Sequence, residues 1–351
     1  MSNRSTWFCA AVASLAVAVG CGPDDETAVT GLLTMKQQAI VGCTASGVDA
    51  DADGIDDGDE DCLLQRHAPV VNLPWTIDWT KPANVDWYLS RVHMRFTHDG
   101  GCSDCAILGV GSVTQSSMIN RSHSEKNWLC SHTSTTRYSY GTDWNEKETF
   151  FLQPPDDATH NGSSNPADWK VYGHVYRNAL GGVNVQYWFF FPYNDAQLGF
   201  NHESDWEHIN VRLNADYSVA GVHFAHHKNV TYYARASVQW FNSTHPLVWT
   251  ADGSHASYVS EAICDSTIEE AGWGASSCET NSNHRWFTWA GGKGTQAGFQ
   301  GGGVINVGEK TRPLNGQNFL KYNSRWGEIG NTSATTGVRG PAFQGNWLRD
   351  G

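Results

Sequence analysis

Three aspartates recur at every second position, Asp49, Asp51 and Asp53, and Gly54, Asp57 and Glu60 follow them. The run fits D-x-D-x-D-G followed by five residues and Glu, a pattern that surrounds a hard cation with oxygen ligands. Calcium takes six to eight oxygens, supplied by positions 1, 3, 5, 7, 9 and 12 of such a loop. Here those are Asp49, Asp51, Asp53, the Ile55 carbonyl, Asp57 and both oxygens of Glu60. Gly54 stands where the loop must turn sharply. Two features depart from the usual pattern: position 8 is Asp56 rather than an apolar residue, and no amphipathic helix leads in. A solvated acidic run is the competing reading. The spacing favours a structural calcium site that stiffens a spacer, with the weak affinity of extracellular loops, about 0.1–1 mM.

A second set of donors lies mid-chain. Residues 186–191 form a dense aromatic run that suits a buried strand, closed by Pro192, and a turn-prone segment follows to Gly199. Residues 204–213 then alternate. Asp205, Glu207, Ile209, Val211 and Leu213 share one strand face, and Trp206, His208, Asn210 and Arg212 the other. Two carboxylates therefore lie in line with aliphatic side chains that point inward. A buried, unpaired carboxylate neutralises, pairs with arginine or binds a metal. His202, with Asn194 and Asp195 at the end of the preceding strand, adds an imidazole and further oxygens. That set suits calcium, magnesium or manganese. An ionic cluster closed by Arg177 or Arg212 accounts for the same residues, and both readings stand at this point.

His255, in the turn 253–258 beside Asp252, either lines that cleft or is a hydrogen-bonded turn histidine; it and His208 are weak candidates for a catalytic base. Common hydrolase signatures are missing. Ser254 lacks the G-x-S-x-G elbow, His202-Glu203 lacks the second histidine of H-E-x-x-H, and the glycine-rich stretch 291–303 carries no phosphate-binding pattern. Nothing separates core from rim for His174, His223, His226 and His227.

The elements that must position these groups begin with an export signal. Arg4 is the only basic residue ahead of an apolar run over 7–19, and Ala18, Val19 and Gly20 precede Cys21. The run is shorter than the roughly 20 residues of a permanent span. A basic start, a short apolar core and small residues before a cut make a secretory signal, and this one resembles the bacterial lipobox, whose cysteine is lipidated. An ordinary signal peptide with a chance cysteine is the alternative. The expected organisation is a signal peptide over 1–20, lipid on Cys21, a tether over 21–63 that holds the calcium loop at 49–60, and one large domain over 64–351. The protein is then exported and anchored by its lipid to the bacterial cell envelope.

Export lets disulfides persist. Cys43 with Cys62 would clamp the acidic loop, and Cys264 with Cys278 would close a local one. Cys102, Cys105 and Cys130 form an odd set that leaves one thiol free or intermolecular. With His132 they also fit a zinc site, against which the oxidising compartment argues. A formal charge of -13 without a block of Lys or Arg excludes a nucleic-acid partner. The 16 Trp, 12 Tyr and 36 Gly suit a mainly β chain. We expect an antiparallel, lectin-like β-sandwich with long loops and few short helices.

Several segments resemble known families. Tyr187-Trp-Phe-Phe-Phe-Pro-Tyr-Asn194, His202-Glu-Ser-Asp-Trp-Glu-His208 and Gly253-Ser-His-Ala-Ser-Tyr258 resemble the Vps62-related family, with which plant domains of unknown function belong. Residues 68–71 with 85–89 resemble its start, and 322–327 and 341–347 its end. The acidic loop resembles the calcium loops of thrombospondin type 3 repeats. More distantly, the mid-chain elements resemble the necrosis- and ethylene-inducing peptide toxins, β-sandwiches whose aromatic strand ends in Phe-Pro-x-Asp before His-x-x-Asp-Trp-Glu. That resemblance implies a divalent metal on Asn194, His202, Asp205 and Glu207. There are two departures: Asn194 replaces an aspartate, still offering an oxygen but less charge, and Glu203-Ser204 stands where the toxins carry a basic residue and a second histidine, which weakens the argument for cytolysis. The implied function is a lipid-anchored surface protein that binds glycans or glycolipid headgroups. A metal-dependent hydrolase, its metal activating a water, and a structural envelope protein with stabilising metals are the alternatives.

Overall fold

The computed structural model describes residue 40 and residues 42–97, 103–126, 131–135, 149–195, 200–226, 229–267 and 277–349. The signal sequence, Cys21, Cys102, Cys130 and His227 lie outside the described residues. Strands numbered along the chain fall into five sheets. The central sheet has the order β11 (Asn229–Ala234), β10 (Val219–His226), β9 (His202–Leu213), β8 (Val183–Asn194), β7 (Val171–Arg177) and β17 (Val304–Asn306). β17 joins β7 in parallel and the other pairs are antiparallel. A second sheet runs β12 (Trp240–Phe241), β13 (His245–Thr250), β1 (Val70–Asn72), β15 (Arg285–Phe287) and β16 (Phe299–Gln300), with β14 (Ser257–Tyr258) also on β13. Smaller sheets pair β2 (His93–Thr97) with β3 (Cys105–Leu108) and β6 (Thr149–Gln153), β4 (Ser122–Lys126) with β5 (Ser131–Thr135), and β18 (Gly308–Glu309) with β19 (Arg312–Pro313). The α-helices among the described residues are short: α1 (Asp57–His67), α2 (Val85–Leu89) and α3 (Glu261–Ser266). None is long and apolar enough to cross a membrane. The protein is mainly β and its sheets pack as a sandwich.

Period-two alternation sends the two faces of the central sheet into different cores. From β8, Val183, Val185, Tyr187, Phe189 and Phe191 join Val71, Val248 and Trp286 of the second sheet. Trp188 and Phe190 join a separate core with Tyr88, Phe96, Phe150, Phe319 and Trp326. β9 does the same with Ile209, Val211 and Leu213 on one side and Trp206 on the other. A sheet covered on both faces reads as a near-continuous apolar run, which is why residues 186–191 are aromatic without interruption. β8 continues through Pro192, expected to end it, as far as Asn194. β7 pairs only as far as Phe189 and the β9 register omits Pro192, so its missing donor breaks no ladder bond.

The segment before residue 64 is not a spacer standing apart from the sandwich. Ile40, Ile55, Leu63 and Leu64 are buried in the core between the two large sheets, and the chain from Ile40 onward forms one compact unit. α1 starts at Asp57 because Asp56 caps it, accepting from the amides of Gly58 and Asp59. Acidic residues fill its first turn, with Arg66 and His67 in its last, as the helix dipole favours. A β-carbon on Gly173 would collide with Leu64, so α1 lies directly on β7. The expected disulfides Cys43–Cys62 and Cys264–Cys278 are both present.

Two outcomes follow. Leu64→Ala should lower the stability of the whole domain by about 2–5 kcal/mol in a single unfolding transition; a wild-type midpoint in urea, or a separate early transition, would contradict the packing. His67 is buried, with Nδ1 3.2 Å from the Thr244 carbonyl, and burial lowers its pKa to about 4. A depressed histidine contributes its full stability above about pH 6.5 and loses it as pH falls toward 4, amounting to about 3 kcal/mol. His67→Asn should flatten the stability profile between those pH values, measured by urea unfolding.

Candidate metal centres

Folding gathers the acidic loop. Donor oxygens of Asp49, Asp51 and Asp57 lie within 4.8 Å of one another, and so do those of Asp51, Asp53 and Glu60. The five carboxylates selected by spacing therefore form two groups that share Asp51. Ala52 and Gly54 turn the loop through left-handed backbone, with φ of 64° and 86°. Asp49 accepts from the amides of Asp53 and Gly54 at 3.2 and 3.1 Å, and Asp57 from that of Ala50 at 3.0 Å. Asp56 points elsewhere. Burial raises its pKa, but amides of Ser46, Gly47, Val48, Gly58 and Asp59 donate to it and bring it down to about 2. Burial lifts Asp53 to about 7. Glu60 rises to about 9 through burial, reinforced by Asp53 and Asp51 against a hydrogen bond from Asn306. Asp51 Oδ1 and Glu60 Oε1 are buried without a hydrogen-bond partner among the described residues. Crowded, buried oxygens of this kind fit a hard divalent cation, whose charge would offset their repulsion.

The mid-chain donors meet where β8 and β9 pair. Asn194 lies opposite His202, Phe191 opposite Asp205 and Phe189 opposite Glu207. Asn194 Nδ2 is 2.7 Å from His202 Nε2, and His202 Nδ1 is 2.9 Å from the Ser204 carbonyl. Burial lowers the His202 pKa, so Nδ1 donates to the carbonyl and Nε2 carries a lone pair. Asn194 Oδ1 is buried and unpartnered among the described residues. Asp205 is engaged by His255, whose Nδ1 lies 3.0 Å from Asp205 Oδ2 and whose Nε2 lies 3.2 Å from Asp78 Oδ2. Burial alone would depress the His255 pKa; Asp78 and Asp205 reverse this and raise it to about 9. His255 is thus a buried imidazolium between two carboxylates, stacked on Phe191 at 3.8 Å. Ser204 and His255 both hold left-handed backbone, with φ of 59° and 53°, a strain of about 1–3 kcal/mol each. His202, Asp205 and Glu207 do not converge within 4.8 Å as the acidic loop does. His208 lies on the opposite face of β9, buried against Trp188 at 4.2 Å, and burial lowers its pKa to about 3. Neither His208 nor His255 reaches solvent.

Residues that no spacing singled out complete this end of the sheet. Trp79 is 41% exposed. Its Nε1 donates to Asp195 Oδ2 at 2.7 Å across 116 residues of sequence. Its ring lies 5.6 Å from Tyr193, which stacks on His160 at 4.2 Å. Asn201 Nδ2 donates to Asp195 Oδ1 at 3.0 Å, and Asn201 Oδ1 is unpartnered among the described residues. Glu203 accepts from the Glu328 amide at 2.7 Å, and burial raises its pKa to about 8. Asp78 and Trp79 carry no motif, and only long-range contacts bring them here.

No protein-family model and no curated protein matches the chain. Solved structures similar to it include the following. One is described as a toxin fold for microbial attack and plant defense (12% identity, TM-score 0.38, over 86% of this chain and 96% of that one). Another is NLPPya in complex with glucosamine (17% identity, TM-score 0.30, over 53% and 71%). A third is necrosis and ethylene inducing protein 2 from the causal agent of cocoa's witches' broom disease (16% identity, TM-score 0.26, over 55% and 76%).

The Asp78–His255–Asp205 arrangement yields a prediction. A histidine whose folded pKa is raised contributes fully below about pH 6.5 and loses that contribution as pH climbs toward 9. His255→Gln leaves two buried carboxylates without their cation and should cost about 3–5 kcal/mol. Urea unfolding at pH 6, 7.5 and 9 should show a decline in wild type that the variant lacks; equal slopes would remove His255 as its source.

Proposed function

We propose that the protein is an exported, lipid-anchored β-sandwich, stabilised by calcium in its acidic loop, that binds a glycan or glycolipid headgroup at the Trp79–Asp195 end. The observation that carries the reading is the exposed Trp79 indole, pinned by Asp195 and flanked by Tyr193. A flat, exposed ring offers the apolar face of a sugar a surface, with the Asp195 carboxylate fixed beside it. A lipid on Cys21, as its signal-like N-terminus suggests, would retain the protein at the cell envelope, where such ligands are found.

A divalent cation at the sandwich end belongs to the same reading. Asn194, His202, Asp205 and Glu207 would have to draw together to hold calcium, magnesium or manganese, since His202, Asp205 and Glu207 do not converge within 4.8 Å. Support comes from the Asn194 oxygen, unpartnered among the described residues, and from His202, whose Nδ1 is tied to a backbone carbonyl in the manner of a metal-ligating imidazole. Asp205 would offer the oxygen that His255 leaves. A second reading, metal-dependent hydrolysis, draws on Glu203. Its raised pKa keeps it protonated near neutral pH with His160 Nε2 4.0 Å away, as a general acid requires.

A glycan array probed with and without chelator, using wild type and Trp79→Ala, tests the first reading. Binding should fall about 30-fold in the variant, equivalent to about 2 kcal/mol, with the melting temperature unchanged. An array without any Trp79-dependent signal removes it. Turnover on phosphoester and glycoside substrates, abolished by Asp205→Ala and Glu203→Gln, would establish the second instead.

A further inference from the structure

We propose that the Cys43–Cys62 disulfide is a redox-sensitive clamp, primed by Arg66, that holds the arm of residues 42–48 on α1 when oxidised and releases it when reduced. α1 places Cys62 and Arg66 four residues apart, so their side chains share one face of the helix. Cys43 comes from the arm and closes the disulfide with Cys62. Arg66 Nη2 then lies 3.2 Å from Cys43 Sγ and 3.7 Å from Cys62 Sγ. Gly42 allows this approach: its φ is 81°, and a β-carbon there would already stand 3.2 Å from Arg66 Nη2. Both cysteines and Arg66 are partly exposed. The other described disulfide joins Cys264 and Cys278, which are 0% and 7% exposed.

A guanidinium beside a sulfur stabilises the thiolate that forms when a disulfide opens. Exchange is faster when the departing sulfur leaves as a stabilised thiolate. The sulfur nearer to Arg66 is that of Cys43. An incoming thiolate therefore attacks Cys62 Sγ, the S–S bond breaks, and its electron pair departs on Cys43. With an external dithiol as reductant, the second thiol then displaces Cys62 from the mixed disulfide. Two electrons and two protons pass to the protein, which gains a pair of thiols, and the reductant becomes a disulfide. What still ties the arm to α1 is non-covalent: the amides of Ser46, Gly47 and Val48 donate to the Asp56 carboxylate at 2.6, 2.6 and 3.1 Å. Residues 44–48 are exposed on the other side, so opening the clamp returns to the arm the freedom that closure had removed. The acidic loop lies between the two cysteines. Calcium held there, on the reading proposed above, and the disulfide would strengthen each other by the same factor.

The experiment reduces the full chain with dithiothreitol and follows each disulfide separately by alkylation and peptide mass mapping. Arg66→Gln should slow the opening of Cys43–Cys62 about tenfold, and Arg66→Lys, which keeps the charge, should fall between. Cys264–Cys278 should open alike in all three proteins. Glutathione offered to wild type should be trapped on Cys62. In chelator, the reduced form should be cut within residues 43–48 at protease levels that spare the oxidised form. Unchanged opening in Arg66→Gln, an equal effect on both disulfides, glutathione on Cys43, or equal resistance of the two forms overturns the proposal. Calorimetry with calcium chloride should show weaker binding to the reduced form. If neither form binds calcium while the Arg66 dependence and the cleavage persist, the calcium reading of the loop fails and the clamp stands.

Discussion

Burial of the central sheet on both faces is the constraint from which most of this molecule follows. Strands β7 to β10 have no solvent side on which to place a charge, so ionisable residues must sit at strand ends or be matched inside. Asp205 meets a histidine held between two aspartates. Along the same sheet, Gln186 and Tyr176 direct their polar atoms to the carbonyls of Asn346 and Arg349, and His174 stacks on Trp347. The C-terminal segment is thus a polar lining as well as an apolar cover. Without it those side chains would face either an unfilled gap or water inside a core.

The same constraint governs the N-terminal segment. α1 buries Leu63 and Leu64 against β7 and carries its acidic first turn into the protein with them. Glu60 cannot be both buried and charged without a partner, and the loop ahead of it brings more negative charge to the same place. A hard cation would resolve the conflict. The Cys43–Cys62 disulfide closes the loop covalently, and Asp56 organises its base through backbone amides rather than by reaching for the cation. Packing makes the loop an integral part of the sandwich.

A second polar cluster lies at the far end of β8. Gly54 meets Arg177, which pairs with Val183 at the start of β8, whereas Trp79, Asp195 and His202 gather around Asn194 at its end. The intervening 12-residue strand separates the acidic loop from the exposed Trp79 cluster. Left-handed, non-glycine residues occur at Ser204 and His255, on either side of Asp205. Conformations that cost free energy persist where the surroundings dictate them, and here they flank the buried contact between Asp205 and His255.

Much of this was legible in the residues themselves. Spacing alone named the five carboxylates that fold into two contiguous groups, because a calcium loop is local and its geometry is written in 12 consecutive positions. Period-two alternation placed Asp205 and Glu207 on the face of Ile209 and Val211, because strand pleating has a fixed period. The cysteine pairs at 43–62 and 264–278 followed from proximity along the chain. The residues could not reveal that the acidic loop is packed into the sandwich, that His255 is clasped by Asp78 and Asp205, or that Trp79 joins Asp195. Each depends on contacts between segments more than 100 residues apart or on the burial of a helix against one particular glycine, Gly173. Local chemistry is encoded by neighbours in sequence; partnership between distant charges is decided only when the two faces of the central sheet are covered and every polar group inside must find an opposite.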